Sequence, residues 1–569
     1  MYRQNDDHRQ WPLLSDLTSL PPKLQERLSG SWAGTFYQEV FARLDEGPFA
    51  VLYSEKGSRP NIPVNVLVGL EILKAGFGWS DEELYDHYCF DLQVRYALGY
   101  RQLSEGQFEL RTLYNFRGRL SEHMHNQGED LLEQAFKQVS DEQVVAYGLK
   151  TDKLRMDSSQ IASNIRQCSR LQLLVEVLRR VHRELNAADS QAYESLFAPY
   201  LKGSSGQYIY RLKPTEYEQH LAQVGQDMAQ LVTELGPTYG EKPGYQLLVR
   251  VFEEHFIVTD TPVGDDDDQS GLRPRQGDEL SAGSLQSPDD QTATYRYKRN
   301  QGHRGYVANV AETCHPQNPF QLLLDLQTCP NNTDDAQMLV EGLPSLKQRT
   351  ELDELHTDGG YNSPQVDQVL RQERVSQVQT AIRGRQPNPD QLNLDDLTWE
   401  LDPDGRPLAA TAPNGQQAQL SPGRKPDRYI ARFDPPTDDP ALSDKPPPQP
   451  AYYFSQQQLD LAIRRQRSAQ ATGQKVHLRP AVEASLGALK RPFGNDKLPV
   501  RGLVRMHQML LGSAFMLNLR RIHRYLDDQK RQMQLPNNTD PSFSFSFLLP
   551  FRRLVTHLSF YSLLLPVYP

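Results

Sequence analysis

The stretch "LHTDGGYNSP", Leu355 to Pro364, decides how this chain is read. A short β-type run ends on Asp358, two glycines follow, and Ser363-Pro364 suits the start of a helix. Asp-Gly is among the commonest turn dipeptides, so alone the motif reads as a turn. A carboxylate at the lip of a strand, beside glycines with no side chains to shield it, raises a second reading that the rest of the chain has to weigh.

Two further carboxylates stand in comparable surroundings. In "VVAYGLKTDKLRMDSSQIASNIR", Leu154 and Met156 predict a short extended stretch ending at Asp157, followed by a helix over roughly 161–186. In "HLRPAVEASLGALKRPFG", a helix carries Arg479, Glu483 and Lys490, with Glu483 and Lys490 on one face two turns apart. Each acid has a local explanation: Asp157 as a cap, Asp358 as a turn residue, Glu483 as the partner of Arg479 or Lys490 at helical spacing. Three carboxylates converging from separate elements would instead make a hard-oxygen cage suited to Mg²⁺. Two such ions about 3.5–4 Å apart serve the attacking and leaving oxygens of a phosphodiester.

Around these residues the pattern predicts a mixed fold. Residues 1–145 read as helical: "IPVNVLVGLEILKAG" aligns Val66, Leu70 and Leu73 behind Pro63, and Ser80 with Glu83 forms a capping box. Ser104 and Gln107 repeat that signature ahead of an arginine-bearing helix with Arg111, Arg117 and Arg119. Residues 146–535 alternate strand and helix signals: "HRGYVANVAET", "PFQLLLDLQT" and "VSQVQTAI" as strands, "TDDAQMLVEGL" as a capped helix. Two insertions interrupt them. One, 160–292, is helical and ends in an acidic linker to about Gln291. The other, 383–455, is rich in Pro, Asp and Gly and reads as a small β-containing unit. Residues 536–569 form a C-terminal tail.

The totals fit a globular protein, with 38% hydrophobic and 24% charged residues. The polar start predicts no secretory signal, and Arg552 and Arg553 break the apolar tail, so the expected setting is cytoplasmic, with no membrane. Cys89, Cys168, Cys314 and Cys329 are scattered without a CxxC pair, which favours free thiols. Net charge is −10, yet between Leu461 and Arg531 fifteen Lys/Arg face four Asp/Glu, a footprint for a polyanion or a solvated helix face. Asp265 to Asp268 lack the spacing of a calcium loop and read as solvated linker.

The stretches "KLRMDSSQIASNIR", "HTDGGYNSPQVDQVL" and "RPAVEASLGALKRPFGNDKLPVRGLVRM" resemble the DDE transposases of bacterial insertion sequences. The last holds the Arg-x₃-Glu-x₆-Lys spacing found around the catalytic Glu in many of them. "RPNIPVNVLVGLEILK" and the helices after it resemble the helical N-terminal domain of the same group. The likeness runs from about residue 15 to about 530. It implies a ribonuclease-H-like catalytic domain of mixed α+β and α/β character, with Asp157, Asp358 and Glu483 as the catalytic, metal-binding triad. It also implies two Mg²⁺ ions (Mn²⁺ as a substitute), double-stranded DNA as partner, and a homodimer in a synaptic complex at the bacterial nucleoid. Arg479, Lys490 and Arg491 would hold phosphates, and Arg111, Arg117 and Arg119 would read the terminal repeats. The chain departs from the group where many relatives have a Tyr three residues before the Arg, since that position is Val476 here.

Overall fold

A computed structural model describes residues 1–9, 15–54, 60–166, 168–259, 271–298, 300–379, 382, 387–388, 391–402, 404–434, 451–473 and 478–534. Asp265 to Asp268, Val476 and the tail 536–569 lie outside these residues. The chain forms two compact units, Met1–Tyr525 and Leu526–Pro569. In the second, the described part is helical and ends at Gln534.

A mixed sheet forms the centre of the first unit. Its strands are β1 (Lys153–Ile161), β2 (Thr294–Lys298), β3 (Gln301–Thr313), β4 (Leu323–Pro330), β5 (Glu354–Thr357) and β6 (Ser376–Gln379). β1 lies in the middle, antiparallel to β3 (Asp157 opposite Val310) and parallel to β5 (Leu154 opposite Leu355). β3 also pairs antiparallel with β4, and β5 pairs parallel with β6. The order across the core is therefore β4-β3-β1-β5-β6, with β2 forming a hairpin with the first half of β3. The parallel pairs need crossovers, and helices supply them. They are α1 (Asp335–Arg349), between β4 and β5, and α2 (Pro364–Gln372), between β5 and β6.

β1 is central, so both its faces are covered, and Leu154 and Met156 are fully buried. The strand also runs past Asp157, and the helix expected from about 161 begins only at Arg170. The cause is tertiary: Ser158, Ser159 and Gln160 favour no strand by themselves, but β3 pairs with them residue for residue as far as Ile161 opposite Tyr306.

The N-terminal helices pack on the sheet through one continuous set of buried residues. The helix Val64–Phe77 is buried nearly all round rather than along one stripe. Ser80 and Glu83 close the expected capping box, whereas the Ser104/Gln107 signature caps nothing, since that helix starts at Leu110 behind Glu109. The long helix Leu503–Gln534 ties these layers together. Phe515 meets Phe136 edge-on at 5.1 Å, and the Asn518 amide bonds both backbone groups of Leu323.

Both insertions have cores of their own. The helices between Arg170 and His255 close around Leu174, Val224 and Leu248. The expected linker after them is partly built. Phe256–Thr259 pairs with Gly271–Pro274, and Leu285, Ser287 and Asp290 are buried. The second insertion is a five-stranded antiparallel sheet around Leu397, Ala431 and Phe454. Among the described residues, no helix is long and apolar enough to cross a membrane.

Candidate functional site

The sheet order brings the ends of β1 and β5 side by side, and "TDGGY" leaves β5 at that edge. Two glutamines on β6 fix the loop. The Gln377 amide donates to Thr357 Oγ1 and the Tyr361 carbonyl, both at 2.9 Å. Gln379 donates to the Asp358 carbonyl at 3.1 Å. Asp358 Oδ1 accepts from the Gly360 amide at 2.7 Å, and Ser363 caps α2 through the Val366 amide. Neither glycine of the pair has a positive φ. Gly360 is required for space: a Cβ there would sit 2.9 Å from both Asp335 Oδ2 and Asp358 Oδ1.

The third acid arrives on α3 (Val482–Lys490), preceded by a short 3₁₀ turn over Arg479–Ala481. A buried carboxylate holds this segment to the sheet. Glu312 on β3 accepts from Arg155 Nε at 2.7 Å, from Ser485 Oγ at 2.8 Å and from Arg521 Nη1 at 2.8 Å. Arg155 also donates to the Leu478 carbonyl at 3.0 Å, one residue before Arg479.

Arg479 then draws the three acids together. Its Nη2 lies 2.6 Å from Asp157 Oδ2 and 3.9 Å from Asp358 Oδ2, and its Nη1 lies 2.7 Å from Glu483 Oε1. The Asp157 side chain is only 7% exposed, while that of Glu483 is 62% exposed and closes the cluster from outside. Burial raises the Asp157 pKa, with Arg479 pulling the other way and the Asp358 charge adding to the rise. Burial by itself would lower the Arg479 pKa, but Asp157, Glu483 and Asp358 outweigh it and the value is raised. The fully buried Tyr361 hydroxyl donates to Asn309 Oδ1 at 2.7 Å. Burial, then Asp335, Asp157 and Asp358, drive its pKa far up.

Of the basic residues read from sequence, Lys490 reaches back to β1 and donates to Ser159 Oγ at 3.1 Å, two residues along from Asp157. Arg491 and Arg111 are exposed. Arg119 lies over the Tyr53 ring, 5.0 Å from its centre. Arg117 is engaged inside the helical layer, paired with Glu71 and with Asp81 at 2.7 Å each. Part of the basic excess after 461 is likewise internal: Arg464 pairs with Asp367 at 3.1 Å, Arg465 with Asp395 at 3.8 Å, and Arg521 with Glu312. Arg491, Arg505 and Arg524 remain exposed.

Sequence reasoning missed Asp335. It is buried at the start of α1, accepts from Ser158 Oγ at 2.8 Å and crowds Gly360, which makes it a fourth carboxylate at the cluster. The "TDDAQ" run reads locally as a helix start and gives no sign of this. His356 is buried and bonded to Glu354 Oε1 at 2.7 Å.

Asp157, Asp358 and Glu483 offer hard oxygens of the kind Mg²⁺ prefers. In this conformation their spacing suits a guanidinium. Among the described residues, no three His, Cys, Asp or Glu side chains are grouped as a metal site. A divalent ion would have to replace Arg479 as the positive group these acids share. No family model, curated protein or solved structure matches the chain.

Proposed function

We propose that the protein is a DNA transposase of the DDE type, with a ribonuclease-H-like catalytic domain acting on the ends of its own mobile element. One observation carries the reading: acids from β1, from the end of β5 and from α3 gather on a single guanidinium, although Arg479 and Asp157 are 322 residues apart. The strand order β4-β3-β1-β5-β6, antiparallel then parallel, supports the fold assignment.

In this reading Asp157, Asp358 and Glu483 would hold Mg²⁺, which supplies Lewis-acid chemistry for phosphodiester cleavage and strand transfer. The chain's own residues prepare the site. Gln377 and Gln379 fix the loop that carries Asp358, and Glu312 fixes α3. Lys490 and Arg491 lie at the end of α3, where they would neutralise phosphates of a duplex. Arg479 holds the acids together here and would give way to the metal. The exposed arginines of the N-terminal layer, Arg111 and Arg119, are the residues assigned to end recognition.

The test is cleavage of a linear duplex carrying the DNA that flanks the gene, with Mg²⁺ and the purified full chain. Nicks at the element boundary, joined products, and loss of both in Asp358→Asn with end binding retained are expected. Cleavage at wild-type rate by Asp358→Asn would refute the assignment. Cutting without joining would mark a nuclease instead.

A further inference from the structure

A second site lies beside the carboxylate cluster and is built from different elements. A cavity of about 640 Å³ opens between the helical insertion and the β2–β3 hairpin, lined by His255, Ser284, Arg170, Arg304, Tyr295 and Arg296 among others. His255 and Ser284 are each only 5% exposed, yet His255 Nε2 and Ser284 Oγ have no hydrogen-bond partner among the described residues. Two buried polar atoms left unmatched on the wall of one cavity are costly unless something supplies the missing bonds.

The chemistry of that missing group can be read from the neighbours. Arg170 Nε donates to His255 Nδ1 at 3.1 Å. A guanidinium is always a donor, so Nδ1 carries the lone pair and the ring proton of the neutral imidazole sits on Nε2. Burial first, then Arg170 and Arg275, lower the His255 pKa to about 4, so the ring is neutral near pH 7. His255 and Ser284, both on the cavity lining, thus carry an N–H and an O–H that no described residue bonds. Among the described residues Arg170 bonds otherwise only to the carbonyls of Arg275 and His255, and Arg304 to the carbonyl of Cys168. Among the described residues neither arginine has a carboxylate within ion-pair distance. These donors and the two arginines outnumber the single carboxylate on the lining, Asp334, and favour an oxyanion. Tyr295 adds an aromatic residue to the same lining, and the volume exceeds what a bare phosphate would fill.

We propose that this cavity binds the phosphate of a nucleotide, with the base against Tyr295, either as a free nucleotide or as a unit of a DNA strand. Arg296 links the cavity to the carboxylate cluster, lining the one and standing 3.6 Å from Asp335 Oδ1 in the other. The assignment rests on the cavity alone and does not require the transposase reading.

The experiment is isothermal titration calorimetry on the full chain in EDTA, with adenosine 5′-monophosphate, inorganic phosphate and a single-stranded oligonucleotide bearing a 5′-phosphate as probes. Nucleotide or oligonucleotide binding is expected, weakened about tenfold or more by Arg304→Gln and by Ser284→Ala and unchanged in Asp358→Asn. Tighter binding of the oligonucleotide than of the monophosphate identifies a strand as the source; equal binding identifies a free nucleotide. Ser284→Ala removes one oxygen from a cavity wall and Arg304→Gln acts on a half-buried side chain, so both keep the test open if a His255 variant fails to fold. No heat with any probe, binding untouched by both substitutions, or inorganic phosphate binding as tightly as the nucleotide would each overturn the proposal.

Discussion

Arg479 Nη2 lies 2.6 Å from Asp157 Oδ2, a contact between a 3₁₀ turn and the central strand of the sheet. Both side chains are less than a fifth exposed, and Asp157 relies on Arg479 for compensation of its charge. Arg479→Ala leaves Asp157, Asp358 and Glu483 facing one another without their shared cation. We expect it to cost about 2 kcal/mol in EDTA, somewhat under the range for fully buried pairs. If these acids can share Mg²⁺ instead, the ion will raise the melting temperature of the variant more than that of the wild type. Thermal melts with and without Mg²⁺ decide this, and equal shifts in the two proteins would remove Arg479 from competition with metal.

Gly360 tests how tightly the Asp358 loop is fitted. An added Cβ would lie 2.9 Å from carboxylate oxygens of both Asp335 and Asp358, closer than such contacts allow. Gly360→Ala is therefore expected to push Asp358 aside at a cost of about 1–3 kcal/mol. Cleavage should fall far more than stability does. Denaturant titration and a cleavage assay on one preparation compare the two, and wild-type values in both would show that the loop has room.

The cavity histidine gives a pH signature. His255 titrates near 6.5 in an unfolded chain and at about 4 when folded. Between those values the unfolded state binds the extra proton, so stability rises with pH there. The wild type should lose stability as pH falls from 6.5 towards 4, with no further loss from this group below that. His255→Gln should lack about 2 kcal/mol of the loss between pH 7.5 and 5.0, the equivalent of the pKa difference over that window. Urea unfolding at the two pH values measures it, and identical losses would place the buried titration elsewhere.

Lys490 tests the phosphate contacts. It donates to Ser159 Oγ at 3.1 Å from the end of α3, two residues along β1 from Asp157, where the proposed function puts a DNA phosphate. Lys490→Ala should flatten the log–log salt dependence of DNA binding by about one unit and leave sequence preference unchanged. Arg111→Ala should change the preference among end sequences instead. An unaltered slope for Lys490→Ala would make its charge an ordinary surface charge.

Local pattern carried some of this site and hid the rest. The strand leading to Asp358, which ends one residue earlier at Thr357, the Ser363 cap and the pairing of Glu483 with Arg479, one of its two candidate partners, each lie within a few residues of sequence. The continuation of β1 to Ile161 was hidden because the partner strand, not its own residues, makes it a strand. Asp335 and Glu312 were hidden for a related reason. Their roles come from Ser158, Arg155, Ser485 and Arg521, which are remote in the chain. Arg117 shows the converse: assigned to end recognition with Arg111 and Arg119, it is claimed by Glu71 and Asp81 once the helices pack.

The position of β1 also sets an order of events during synthesis. A chain made from its N-terminus releases Lys153 long before Glu354, the residue opposite it on the parallel strand, 201 positions later. The helical insertion, whose buried contacts are mostly among its own neighbouring helices, can close in that interval. Asp157 must wait for β3 and β5, and then for Leu478 and Arg479 to emerge. A ribosome-bound chain thus carries its first acid for most of translation without the other members of the cluster, which can assemble only after Arg479 and Glu483 have emerged.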